Sequence, residues 1–311
     1  MNKYIKMGTL FSAALFSLFG CGAGDKADTA SGDGKLTVVT TFYPMYDFTK
    51  QVVGDKGNVT LLLKAGQDSH GYEPTPKDIA AIADADVFVY NSDEMETWVP
   101  SVLDSIGNSD VVVVDASKDI PLYQVAEGDP VDEAGDAHSV DPHVWLDPVY
   151  AQDEVAAILV GVTKADAANK AFYEANAAAF QGKLAALDIA YQTAFANAEN
   201  RTFVVQHAAF GYIARRYNLT EMAVSSVSSD AEPNPAKLAE LKQFMIDNHI
   251  GVVYYSDNAS SKTAETLAGE TGAALEVLSP LEGISQEEQD AGKDYLSVMQ
   301  DNLAALQKTI H

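Results

Sequence analysis

Glu73-Pro74-Thr75-Pro76-Lys77-Asp78-Ile79 returns further along the chain in altered form, as Glu232-Pro233-Asn234-Pro235-Ala236-Lys237-Leu238. In each copy a Thr or Asn stands where a helix N-cap belongs. The proline after it suits the first helical position, where a missing N–H costs nothing and a fixed φ is already helical. Each copy follows the second member of a set of short, β-rich apolar runs. The first set is residues 36–41, 59–63, 87–90 and 111–114, and the second is 202–206, 222–227, 252–255 and 274–278. The third members also match in outline, Val87-Phe88-Val89-Tyr90-Asn91-Ser92-Asp93 against Val252-Val253-Tyr254-Tyr255-Ser256-Asp257-Asn258. The runs are apolar almost throughout, as expected of strands buried on both faces, and helical patterns separate them. That alternation predicts parallel sheets built from βα units. The fold class is therefore α/β, with two similar lobes that each hold a four-stranded parallel sheet flanked by helices. A single large α/β domain is the alternative.

Between the two sets, residues 148–200 carry no strand signal and many alanines. Asp147-Pro148 reads as a helix start, an N-cap followed by proline. Residues 174–198 contain no proline and only Gly182, so one long helix is expected to join the lobes. The expected plan is an N-terminal lobe over 35–147, a linking helical region over 148–200 and a C-terminal lobe over 201–311.

Ahead of the first lobe, Lys3 and Lys6 precede an apolar run over residues 7–19, too short to span a bilayer comfortably but the right length for a secretion signal. It ends at Leu18-Phe19-Gly20-Cys21, a layout that resembles the lipobox of bacterial lipoproteins, although Phe19 is bulky for its place. Residues 1–20 are expected to be a signal peptide and Cys21 the lipid attachment point. The alternative is an ordinary signal with an incidental cysteine. Residues 21–34 form a flexible tether of Gly, Ala, Asp, Ser and Thr, too poor in large apolar groups to fold. Cys21 is the sole cysteine, which excludes a disulfide framework and a thiolate metal site in the folded part. Removing residues 1–20 takes away two lysines and no acid, so the formal charge of -25 falls by a further two. A chain this acidic is unsuited to binding nucleic acid and suited to attracting cations.

Three of the six histidines occupy equivalent kinds of place. His70 lies past the second strand, in Gln67-Asp68-Ser69-His70-Gly71-Tyr72-Glu73-Pro74. His143 lies past the fourth, in Asp141-Pro142-His143-Val144-Trp145-Leu146-Asp147-Pro148. His207 closes the first strand of the second set, in Phe203-Val204-Val205-Gln206-His207-Ala208-Ala209-Phe210. Glu282, in Leu278-Ser279-Pro280-Leu281-Glu282-Gly283, follows the last strand. All four fall at carboxyl ends of predicted parallel strands, where open α/β sheets bind their ligands. Taken singly each histidine is more often structural; two groups from each lobe converging on one cleft point to a metal.

These motifs, with His207-Ala208-Ala209-Phe210-Gly211-Tyr212 and the tail Tyr295-Leu296-Ser297-Val298-Met299-Gln300-Asp301-Asn302-Leu303, resemble the metal-specific solute receptors of bacterial ABC importers, of the ZnuA, AdcA and TroA type. The resemblance covers nearly everything from Lys35 to His311. It implies two lobes on a rigid linking helix, with a metal at their interface. It also implies a monomer, lipid-anchored on the outer face of the cytoplasmic membrane, that serves an ABC transporter permease. The family's first three ligand positions map to His70, His143 and His207, and the fourth to Glu282, with Asp257 as rival. Imidazole suits Zn²⁺, Cu²⁺ and Ni²⁺, whereas Mn²⁺ prefers carboxylates and carbonyls. The family's manganese receptors carry an acid where His207 stands here. Three imidazoles and one carboxylate suit four-coordinate zinc, so the expected cargo is Zn²⁺ and the expected role extracytoplasmic zinc capture for import, with a manganese or other divalent-metal receptor as alternative.

Other readings are weaker. His138 sits in an acidic segment, residues 127–141, where zinc receptors of this family often carry a His-rich loop; as a lone histidine it is an accessory candidate at most. His249 reads as a surface residue before a strand and His311 as incidental. A zinc hydrolase with Glu73 as base is the enzymatic rival, opposed by the fourth protein ligand and by the lack of a His-Glu-x-x-His helix. Adhesion, a role sometimes given to lipoproteins of this family, has no specific site in the sequence.

Overall fold

The structure is a computed structural model that describes residues 34–64, 67, 69–107, 109–124, 140–227, 235–256 and 260–311. The lipobox with Cys21, the acidic segment with His138, and Asp257 lie outside the described residues, as do the first three residues of the second proline-rich copy, Glu232-Pro233-Asn234.

Both proposed strand sets form. The first contains β1 (Leu36–Thr40), β2 (Gly57–Leu61), β3 (Val87–Tyr90) and β4 (Val112–Asp115), with helices α1 (Tyr43–Val53), α2 (Pro76–Ala83) and α3 (Val99–Ile106) between them. A two-stranded hairpin follows, β5 (Tyr123–Gln124) with β6 (Val140–Asp141). Its strands, two residues each, are too short to leave a pattern in the sequence. Then come α4 (Tyr150–Ala165) and α5 (Lys170–Phe195). The second set is β7 (Thr202–His207), β8 (Thr220–Ser225), β9 (Val252–Tyr255) and β10 (Ala274–Val277), with α6 (Gly211–Arg216), α7 (Pro235–Asp247) and α8 (Lys262–Thr271) between, and α9 (Gln286–Asp290) and α10 (Tyr295–Leu306) closing the chain.

The sheet orders are β2-β1-β3-β4 and β10-β9-β7-β8. Numbered within each lobe, the second is the first read from the other edge, and every pairing is parallel. Two sheets of one topology bear out the duplication inferred from the proline-rich copies. The expected burial on both faces holds for the interior strands, such as β3, all of whose residues are buried. It fails at the edges, where β2 alternates and β10 is largely exposed, because an edge strand has a neighbour on one side only.

Thr75 caps α2 through a full capping box with Asp78, and Pro76 occupies the first turn. The regular turns of α4 begin at Tyr150, and the cap expected at Asp147-Pro148 forms: Ala151 N bonds to Asp147 O at 2.9 Å. The Asp147 carboxylate accepts from Val149 N at 2.9 Å, as an N-cap does, and also pairs with Arg216. The linking region thus holds two helices. α4 lies on the first lobe, against α1, β3 and β4, while α5 runs 26 residues, about 39 Å at 1.5 Å per residue. Its buried stripe, Tyr173, Ala177, Phe180, Leu184, Leu187, Tyr191 and Phe195, steps by three or four residues, so one face is apolar from end to end. Near its start Phe180 meets Phe48 of α1 (ring centroids 5.7 Å); near its end Tyr191 stacks on Tyr217 after α6 (5.1 Å). One hydrophobic core therefore runs through both lobes and the helix between them.

Candidate metal centre

The quoted proline-rich stretch also anchors the first candidate ligand. Asp78 accepts hydrogen bonds from Thr75 N, Thr75 Oγ1 and the Tyr72 hydroxyl at 2.8, 2.7 and 3.0 Å, which ties the His70 turn to the start of α2. Burial works against its charge, but those donors outweigh it and hold the Asp78 carboxyl below its ordinary range.

His143 follows β6 after Pro142, so it extends from the antiparallel hairpin and not, as expected, from the carboxyl end of the parallel strand β4. Its backbone N and its Nδ1 both donate to Asp141 Oδ1, at 3.0 and 2.8 Å. His207, the last residue of β7, points Nδ1 at the Ser226 carbonyl, 3.0 Å away. With Nδ1–H engaged in both rings, each Nε2 is left as the lone-pair atom, and these orienting partners are what metal-ligating histidines generally require.

Glu282 is held by a chain of contacts that crosses the lobes. Trp145 Nε1 donates to Pro280 O at 2.8 Å, and Tyr295 of α10 donates its hydroxyl to Trp145 O at 2.5 Å. Asn302 of α10 accepts from Ser279 N and donates to Ser279 O, at 2.9 and 2.7 Å. So fixed, Glu282 Oε1 lies 3.2 Å from His70 Nε2, 3.4 Å from His143 Nε2 and 3.3 Å from His207 Nε2, and the last two nitrogens are 3.3 Å apart. All four donor atoms fall within 4.8 Å of one another. An ion bound tetrahedrally at about 2.0–2.1 Å sets its ligand atoms about 3.3–3.4 Å apart. Four of the six edges between these donors are 3.2–3.4 Å long, close to that spacing.

The electrostatics match a cation site. Burial would raise the Glu282 carboxyl, but the three histidines around it outweigh burial and hold it well below the carboxylate range. Burial would lower His143, yet Asp141 and Glu282 raise it to about 9. His207 is lowered, chiefly by burial, against the pull of Glu282. Among the described residues no other group of three or more His, Cys, Asp or Glu side chains is placed to hold an ion.

The structure thus brings together the side chains of His70, His143, His207 and Glu282. Glu73 is exposed and outside the cluster, which removes the base of the hydrolase reading, and His249 and His311 are exposed. Asp141, the orienting partner of His143, is the residue that sequence reasoning missed; its signal is an acid two residues before a candidate histidine. Arg216, which donates from Nε to both Asp147 carboxylate oxygens at 2.9 and 2.7 Å, had no signal, because α6 and the end of the first lobe meet only in three dimensions.

A sequence profile of the family described as zinc-uptake complex component A, periplasmic, matches residues 38–309. The high-affinity zinc uptake system protein ZnuA of Bacillus subtilis (strain 168) is 47% identical over 309 residues, which cover 97% of each chain. The zinc-binding lipoprotein AdcA of Streptococcus pneumoniae serotype 4 is 44% identical over 98% of this chain, which spans 61% of the length of AdcA. The Zn(II)-bound ZnuA-like domain of Streptococcus pneumoniae AdcA superimposes with a TM-score of 0.77 at 44% identity, over 89% of this chain and 99% of that domain.

Proposed function

Because the chain belongs to the ZnuA family of zinc-uptake components, we propose that it captures Zn²⁺ between its two lobes and delivers the ion to the permease of an ABC importer. The observation that carries this reading is the set of four donor atoms from His70, His143, His207 and Glu282, spaced like the corners of a tetrahedron. Two come from each lobe, three are imidazoles, and the donor set suits Zn²⁺ better than Mn²⁺. A formal charge of -25 favours the approach of a cation.

The site also favours carriage over chemistry. Four protein ligands close a tetrahedral zinc, leaving no position for an activated water. No described helix is long and apolar enough to cross a membrane. In this reading residues 1–20 are an export signal, Cys21 carries the lipid, and 21–34 tether the lobes, 35–147 and 201–311 about the linker 148–200, to the outer face of the membrane. The cargo leaves through the partner permease.

The test is a zinc titration against a chromophoric chelator, with elemental analysis of the purified protein. Wild type should bind one zinc per chain. His143→Ala should weaken affinity by about 100-fold or more, beyond the 10–100-fold typical of losing an orienting partner, while His249→Ala should leave it unchanged. Equal losses in the two variants would sink the assignment.

A further inference from the structure

α6 belongs to the second lobe, yet its first two residues close on the group that orients a first-lobe histidine. A Cβ added to Gly211 would come within 2.7 Å of Asp141 Oδ2. The other oxygen of that carboxylate, Oδ1, is the acceptor for His143 N and Nδ1. The Tyr212 hydroxyl donates to Asp141 O at 2.7 Å and accepts from Tyr123 N at 3.1 Å. Tyr123 and Asp141 are the paired residues of the β5–β6 hairpin, so one hydroxyl ties both of its strands to α6. The ring of Tyr212 stacks on Tyr123 (centroids 4.8 Å apart, planes at 24°), and the Arg215 guanidinium lies 3.7 Å over the other ring's centroid. Tyr212 is buried, and none of these three α6 residues is a candidate ligand.

We propose that Gly211 and Tyr212 are positioning residues for zinc binding: acting through Asp141, they hold the His143 ring in its ligating orientation only while α6 rests against the hairpin. Contact between the lobes and readiness of a ligand are then one event. Gly211 supplies the clearance Asp141 needs to keep its hydrogen bond to Nδ1. Tyr212 fixes the backbone from which that carboxylate projects. Separation of α6 from the hairpin, as in handing on the ion, frees Asp141 and loosens His143 without any change to His143 itself. The inference rests on the ligand assignment proposed above.

The experiment is a double-mutant cycle between Gly211→Ala and Asp141→Ala, with Tyr212→Phe as an independent probe that keeps the ring stack and drops the hydroxyl. Zinc affinity is measured by chelator competition, and coordination geometry by the visible d–d bands of the Co²⁺-loaded protein. Gly211→Ala should lower affinity 10–100-fold, the usual effect of disturbing an orienting partner, and should alter the cobalt bands. In the Asp141→Ala background it should change affinity less than about twofold, since the group through which it acts is gone. Tyr212→Phe should lower affinity about 10-fold and speed zinc release. If Gly211→Ala and Tyr212→Phe both keep wild-type affinity and bands, or if the Gly211→Ala loss adds in full to that of Asp141→Ala, the proposal is overturned. His143→Ala separates the two readings. Unchanged binding in that variant removes the ligand assignment itself, whereas a collapse there with silent α6 variants removes only the positioning role.

Discussion

Leu281 carries a φ of +58°, a region that side chains other than glycine rarely adopt, and it is fully buried. It directly precedes Glu282, and the two residues before it, Ser279 and Pro280, are held by hydrogen bonds to Asn302 and Trp145. Glu282 thus reaches the histidines from a backbone that its neighbours impose, which is the preorganisation a site needs to hold its donors at tetrahedral spacing. The same residues set the pH response. Glu282 is held well below the carboxylate range and stays ionised in mild acid, so the imidazoles govern loss of binding. His143 is raised to about 9 in the metal-free protein, whereas an unfolded histidine titrates near 6.5. Its protonated form therefore stabilises the metal-free fold fully below about pH 6.5, and that contribution disappears as pH rises through about 9. Zinc has the opposite preference, because each ligating imidazole must be neutral. Apparent zinc affinity should climb from pH 5 to pH 9 and still be rising above pH 7, as followed by chelator competition. An affinity flat between pH 7 and 9 would contradict the state assigned to His143. At this scale the four candidate donors were legible because each lies in a recognisable motif that follows a strand. The orienting groups were not, since Ser226 O is a backbone atom and Gly211 acts by what it lacks.

Among the elements, the eight strands of the two parallel sheets were legible to within two residues at every end, because buried β-branched runs between helical patterns leave little choice. The Asp147-Pro148 start was legible because Asp147 caps α4 locally, accepting from Val149 N, whereas its pairing with Arg216 of the other lobe arises only in three dimensions. Gly161 of α4 shows how closely these elements sit. A Cβ there would lie 2.2 Å from Val114 Cγ2 of β4. Gly161→Ala should overpack that contact and cost about 1–3 kcal/mol, seen as a lower melting temperature. Zinc affinity should stay at the wild-type value, since neither residue touches the four donors. A variant as stable as wild type would mean that α4 has room to move off the sheet.

For the whole molecule, the continuous core through α5 restricts how the lobes can respond to the ion. Phe48 of α1 packs edge-on against Tyr295 of α10, with centroids 4.8 Å apart, and Tyr191 of α5 donates to Met299 O at 2.7 Å. A wide swing would expose these aromatic contacts, so binding should order the site locally. Zinc at 100 times its dissociation constant adds about 2.7 kcal/mol, or roughly 5–10 °C of melting temperature for a domain of this size. Hydrogen exchange with and without zinc should gain protection around His70 and over residues 140–146, with α5 unchanged. Protection gained along α5 would point to a global rearrangement.

The most direct test of the central claim is anomalous diffraction at the zinc absorption edge from crystals of the zinc-loaded protein. One peak should lie among His70 Nε2, His143 Nε2, His207 Nε2 and a Glu282 oxygen, about 2.0–2.1 Å from each nitrogen. A peak elsewhere on the molecule, or an ion in this cleft that leaves one of the three imidazoles unbound, would contradict it.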